Sequence, residues 1–79
     1  MIKYTVEFTD TFGGEANYSW VKRDTFLVSP KEPLAFVKTF AKDLMGIKGV
    51  RGTWEDYGDM LKFTPRGSCT VLFVTYSEE

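Results

Sequence analysis

A chain of 79 residues, 43% hydrophobic and 27% charged, has the composition of one soluble globular domain and no length for a second core. Its net charge of −1, from 11 acidic and 10 basic side chains, argues against whole-molecule attraction to nucleic acid or anionic membrane. Histidine is absent and Cys69 is the sole cysteine, which excludes His-based nucleophilic pairs, Cys–His zinc sites and internal disulfides.

From the N-terminus, Ile2, Tyr4, Val6 and Phe8 alternate with Lys3, Thr5, Glu7 and Thr9, the period of a strand with one apolar face. No apolar signal segment precedes this run, and the longest apolar stretch, Val71 to Val74, is too short to span a bilayer, so a cytoplasmic location is expected. A second extended run goes from Ala16 to Val28, with a bend or bulge expected at Lys22-Arg23-Asp24, where charge interrupts the alternation. Between the two lies DTFGGEANYSW, Asp10 to Trp20. Its glycines lead into a strand, and the nearest charges are acidic, so a phosphate cradle is excluded on geometry and on sign. Gly13-Gly14 instead suits a hairpin turn. Phe12 at its tip is expected to fold back over the sheet edge.

Ser29-Pro30-Lys31-Glu32 has the pattern of a capping box, which predicts a helix over residues 30 to 45. Leu34, Val37, Phe40, Ala41, Leu44 and Met45 form its apolar arc, with Phe36 at the edge. Gly46 supplies the stop, with Ile47 folding back on the last turn. Val50–Glu55, Met60–Thr64 and Cys69–Tyr76 read as three further strands, separated by turns at Asp56–Asp59 and Pro65–Ser68. Cys69, at the head of the last strand, is expected to be a small buried hydrophobe. The order β-β-α-β-β-β predicts a single α+β domain over residues 1–79, in two layers, with the helix on one face of a four- to five-stranded sheet. This element order resembles the ubiquitin-like β-grasp fold, which implies first and last strands paired side by side and parallel at the sheet centre. An antiparallel meander with one covering helix is the alternative.

Candidates for chemistry are few. Glu55, Asp56 and Asp59 cluster within WEDYGDM, but Asp and Gly are what a tight turn requires, and the further oxygen ligands of a calcium loop are missing. No metal, no cofactor and no enzymatic activity are expected. A basic stripe of Lys31, Lys38 and Lys42, bordered by Arg23, is the footprint of a nucleic-acid-binding module, diluted by interleaved acids. Aromatic residues, at 16% of the chain, exceed what one small core needs. The last strand is apolar on both faces, and one helix covers only one of them. Phe12, Tyr18, Trp20, Trp54, Tyr57 and Phe73 are therefore the candidate partner-binding residues, for a protein ligand or a second copy of the chain.

FGGEANYSWV, WEDYGDM and PRGSCTVLF resemble segments of small uncharacterised proteins encoded by bacteriophages and other bacterial mobile elements. The resemblance implies a small cytoplasmic protein that acts by binding, as an inhibitor or modulator of a host protein.

Overall fold

The computed structural model describes residues 1–78. Strands β1 (Ile2–Phe12) and β2 (Glu15–Val28) form a hairpin, helix α1 spans Leu34–Leu44, and β3 (Gly52–Asp56), β4 (Met60–Pro65) and β5 (Thr70–Glu78) follow. The strands make one sheet in the order β2-β1-β5-β4-β3, antiparallel throughout. The fold is α+β. First and last strands do lie side by side at the centre, but Val6 pairs with Val74 and Phe8 with Leu72 in antiparallel register. The parallel pairing implied by the ubiquitin-like order is thus replaced by an antiparallel one.

Period-two alternation decides which side chains form the core. Tyr4, Val6 and Phe8 of β1, Leu72 and Val74 of β5, and Leu61 and Phe63 of β4 point to one face. There they join Val37, Ala41 and Met45 of the helix in one buried cluster. Gly13 and Gly14, at φ 65° and 84°, turn the β1–β2 hairpin in two residues, with Phe12 paired to Glu15 across it. A two-residue loop with both φ angles positive has the twist that flanking strands require.

The helix starts later than the sequence pattern suggests. Residues 29–33 form a turn in which the Glu32 N–H reaches the Ser29 carbonyl at 3.0 Å, and Pro33, extended at ψ 157°, is the N-cap with no side-chain hydrogen bond. Ser29 Oγ accepts only a long 3.3 Å bond from the Lys31 N–H. The cause is the second proline: Pro33 disfavours helical backbone at Glu32, so the first turn implied by Pro30 cannot continue. The C-terminal end behaves as expected. The Ile47 N–H bonds to the Lys42 carbonyl at 2.9 Å and the Gly46 N–H to that of Asp43 at 3.0 Å, with Gly46 at φ 72°. These two bonds are the Schellman pair, and Ile47 packs against the core.

Three further expectations are corrected. Lys22, Arg23 and Asp24 sit in regular register opposite Phe8, Glu7 and Val6, so the charged triplet makes no bend. The irregularity lies earlier, where Asn17–Trp20 on β2 face only Asp10 on β1. Cys69 is exposed, because β5 starts one residue later and Cys69 belongs to the turn. Phe12 is 80% exposed at the hairpin tip and does not pack back. Among the described residues, no helix is long and apolar enough to cross a membrane.

Two substitutions test this account. A Cβ at Gly52 would lie 2.2 Å from the Thr64 carbonyl oxygen and 2.8 Å from the Phe63 ring, against backbone that cannot yield. Gly52→Ala is expected to lower folding stability by about 1–3 kcal/mol in denaturant titration. Ser29→Ala is expected to change it by less than about 0.5 kcal/mol, well below the cost of losing an N-cap.

Candidate functional site

The face of the sheet turned away from the helix carries the residues of opposite parity: Thr5, Glu7 and Thr9 of β1, Val71, Phe73 and Thr75 of β5, and Met60, Lys62 and Thr64 of β4. Two of the depressions on it share Phe73. One, of about 350 Å³, is lined by Thr5, Glu7, Tyr18, Met60, Phe73 and Thr75. The other, of about 280 Å³, runs between the hairpin end (Gly14, Glu15, Ala16) and Lys62 and Thr64 of β4. Strands β1 and β5 separate those two walls, so this face is concave. Its floor is apolar at Phe73 and Val71 and its margins are hydroxyl-rich.

Tyr18 stands at the rim and is held there by an unusual piece of backbone. It is the one non-glycine at positive φ among the described residues, at 56°. A bulky residue adopts that conformation only where its surroundings impose it. Asp10 imposes it. The Asp10 carboxylate accepts hydrogen bonds from Asn17 Nδ2 (3.0 Å), Ser19 Oγ (2.6 Å) and the Ser19 N–H (3.0 Å), bracketing Tyr18 on both sides. Beneath this clamp, buried Thr9 donates its hydroxyl to the Trp20 carbonyl at 2.7 Å. The three extra residues of β2 are thus tied to β1 by two side chains in place of a ladder. Ser19 and then Asn17 hold the Asp10 carboxyl down to about 2.

The clamp delivers the Tyr18 hydroxyl to Glu7 Oε1 at 2.6 Å, while Arg23 Nε bonds Glu7 Oε2 at 2.8 Å. The Tyr18 hydroxyl, with the Arg23 guanidinium beside it, keeps the Glu7 carboxyl below its usual range, and Glu7 in turn raises the Tyr18 phenol. The three side chains form a closed polar rail along the edge of the Phe73 depression, with the Tyr18 ring 48% exposed above it.

The other candidate residues are scattered. Trp20 packs edge-on against Phe8, ring centroids 5.4 Å apart, on the helix side of the sheet. Trp54 is partly buried beside Phe63, at 4.9 Å, and belongs to the margin of the core. Tyr57 is exposed in the β3–β4 turn, where its hydroxyl bonds Glu55 at 3.0 Å. Asp56 accepts the Gly58 N–H at 2.8 Å, and the Gly58 carbonyl accepts the Tyr76 hydroxyl, so these groups serve the turn. Among the described residues, no group of three or more His, Cys, Asp or Glu side chains is placed to hold a metal ion.

The basic stripe does not assemble. Lys38 Nζ lies over the Trp54 ring at 5.4 Å, and Lys42 Nζ lies over Phe63 at 4.5 Å while donating to the Val50 carbonyl at 2.6 Å. Arg23 is on the opposite side of the sheet, engaged by Glu7. Lys31 is in the turn before the helix. Sequence reasoning named Phe12, Tyr18 and Trp20 in the hairpin, of which Tyr18 alone lines the depression, and missed Asp10 as the organiser of the bulge. The signal was present as D-x₆-N-x-S, an acid spaced to meet an amide and a hydroxyl across a short hairpin.

Comparison with known protein families, with curated proteins and with solved structures finds no match to this chain.

The clamp has a pH signature. A carboxylate lowered on folding stabilises the native state fully above its unfolded value of about 3.9, and that stabilisation is lost as pH falls toward 2. Asp10→Asn is therefore expected to lower the denaturation midpoint at pH 6, with the gap between parent and variant narrowing between pH 4 and pH 2. A gap that stays constant over that interval would show that the carboxylate charge does not hold the bulge.

Proposed function

We infer that the protein is a non-enzymatic binding module whose concave sheet face receives a segment of another protein. The helix, on this reading, forms a second layer that closes the opposite face and leaves this one free. The observation that carries it is Tyr18, a bulky residue kept in left-handed backbone by the Asp10 clamp and set over the Phe73 depression. Backbone strain of this kind costs on the order of 1–3 kcal/mol and is retained where a side chain must be presented in one place. The chemistry of the face also fits a polypeptide. An apolar floor of Phe73 and Met60 suits an aliphatic or aromatic side chain, and the threonine hydroxyls around it suit main-chain amides. Hydrolytic or group-transfer chemistry finds no support there, since the Glu7 carboxylate is fully engaged by Tyr18 and Arg23. The resemblance of the hairpin and turn segments to small phage-encoded proteins agrees with a role as modulator of a host protein.

The test is capture from bacterial lysate with the parent and variants as bait, with and without nuclease. A single stoichiometric protein, recovered by the parent irrespective of nuclease, is expected. Tyr18→Ala and Phe73→Ala should each weaken its binding by about 1–4 kcal/mol in subsequent titration. The Lys38→Ala, Lys42→Ala double variant should bind it like the parent. Nuclease-sensitive recovery abolished by the lysine changes would instead assign the protein to nucleic acid.

A further inference from the structure

Away from the concave face, two features of the helix side are left uncovered, and they adjoin. The first is the outer edge of β2, a strand of 14 residues bonded on one side only. Its outward backbone groups are unpaired, and the Thr25 N–H is met only by the Asp24 carboxylate beside it, at 2.8 Å. The second is the flank of α1 on the side of this strand. Phe36, Phe40 and Leu44 follow at i, i+4 and i+8 and remain 36–42% exposed, and the Phe40 ring reaches Phe26 of β2 at 4.7 Å between centroids.

The helix-side residues of this edge read Trp20, Lys22, Asp24, Phe26. Trp20 lies on Phe8, Phe26 stacks on Tyr4 at 5.4 Å, and Lys22 and Asp24 stand exposed between them. Laid antiparallel against itself about Arg23, this row is its own complement. Trp20 of each copy faces Phe26 of the other, and Lys22 of each faces Asp24 of the other. Aromatic pairs and opposite charges are the cross-strand combinations that stabilise neighbouring strands. We propose that the chain forms a two-fold dimer by pairing β2 with β2 of a second copy, giving a continuous ten-stranded sheet.

The symmetry accounts for the helix as well. The axis relating two antiparallel strands of one sheet is perpendicular to that sheet, so both helices fall on the same side. Their Phe36–Phe40–Leu44 flanks, each on the β2 side of its own helix, then face each other across the axis. One operation thus pairs the open edge and brings the two apolar stripes to face each other on the same side of the sheet. The two Arg23 side chains come opposite each other on the concave side, each keeping its own Glu7 as counter-charge. A charged triplet in mid-edge ordinarily repels foreign strands. Here it also selects the one partner whose charges run in reverse, which is a second copy.

Charge exchange tests the register directly, read by sedimentation equilibrium with circular dichroism to confirm folding. The parent is expected to be dimeric. Lys22→Asp and Asp24→Lys should each raise the dimer dissociation constant about tenfold, because each change creates two like-charge pairs per dimer. The Lys22→Asp, Asp24→Lys double variant restores the complement and should return to within about threefold of the parent. An equimolar mixture of the two single variants should form heterodimers in preference to either homodimer. Phe40→Ser, at an exposed position, should weaken association without loss of fold. A parent that is monomeric at the highest soluble concentration overturns the proposal. So does a double variant as weak as the singles, or a mixture that forms no heterodimer. Each of these outcomes leaves the reading of the concave face untouched, since that surface lies on the other side of the sheet.

Discussion

The antiparallel pairing of β1 with β5 is the contact on which the rest of the molecule depends. The β1–β2 hairpin and the β3-β4-β5 meander are each local in sequence and meet in the sheet only along this seam. Val6, Val74 and Leu72 are completely excluded from solvent there, and Phe8 nearly so. The helix residues Val37 and Ala41 pack into the same cluster, so the helix has no buried face until the two halves of the sheet have joined. Bringing residues 2–10 against 70–78 closes almost the whole chain into a loop, and loop closure of that length is repaid only by dense burial. Concentrating the most apolar strands at the seam is the physical answer to that demand.

The stretch DTFGGEANYSW departs from the alternation that organises everything else, and its geometry explains its composition. The two glycines serve the turn, and the acid, amide and hydroxyl serve the bulge behind it. Ladder bonds cannot cross where four residues oppose one, so their work passes to Asp10 and Thr9. A bulge also increases local twist, and the curl it gives the hairpin is what brings Gly14–Ala16 over the concave face. The rim of the candidate site and the curvature of its floor thus come from one irregularity.

Element order, the hairpin turn, the Gly46 stop and all six element types were legible in the sequence because each rests on local chemistry. Alternation from Ile2 to Thr9 and the glycine pair need no knowledge of distant residues. The errors share a different origin. Two prolines competed to begin the helix, and the capping pattern around Ser29 carried no information on which would prevail; the backbone restriction imposed by Pro33 decided it. Charge at Lys22–Asp24 suggested a break because it interrupts the apolar alternation, whereas an edge strand tolerates charge without distortion. Strand direction at the centre could not be read at all, since parallel and antiparallel seams bury the same residue types. In the candidate site, Tyr18 and Phe73 were named for their aromaticity alone. Their convergence depends on a long-range register and a positive φ that no local pattern records.

The width of the sheet explains where apolar surface had to be left over. Five strands span about 19 Å from edge to edge, and a helix of 11 residues is about 16 Å long and 10–12 Å across. Such a helix shields the central strands and falls short of at least one edge. The chain treats its two flanks differently. Toward β3 and β4, Lys38 and Lys42 set their ammonium groups over the Trp54 and Phe63 rings, an arrangement complete within the monomer. Toward β2 the same helix presents Phe36, Phe40 and Leu44, which have no polar end to offer water. Long basic side chains would have served both flanks equally well if solvent were the only neighbour. Their use on one side and the apolar stripe on the other, nearer the strand whose edge is unpaired, is the asymmetry on which the proposed β2–β2 pairing rests.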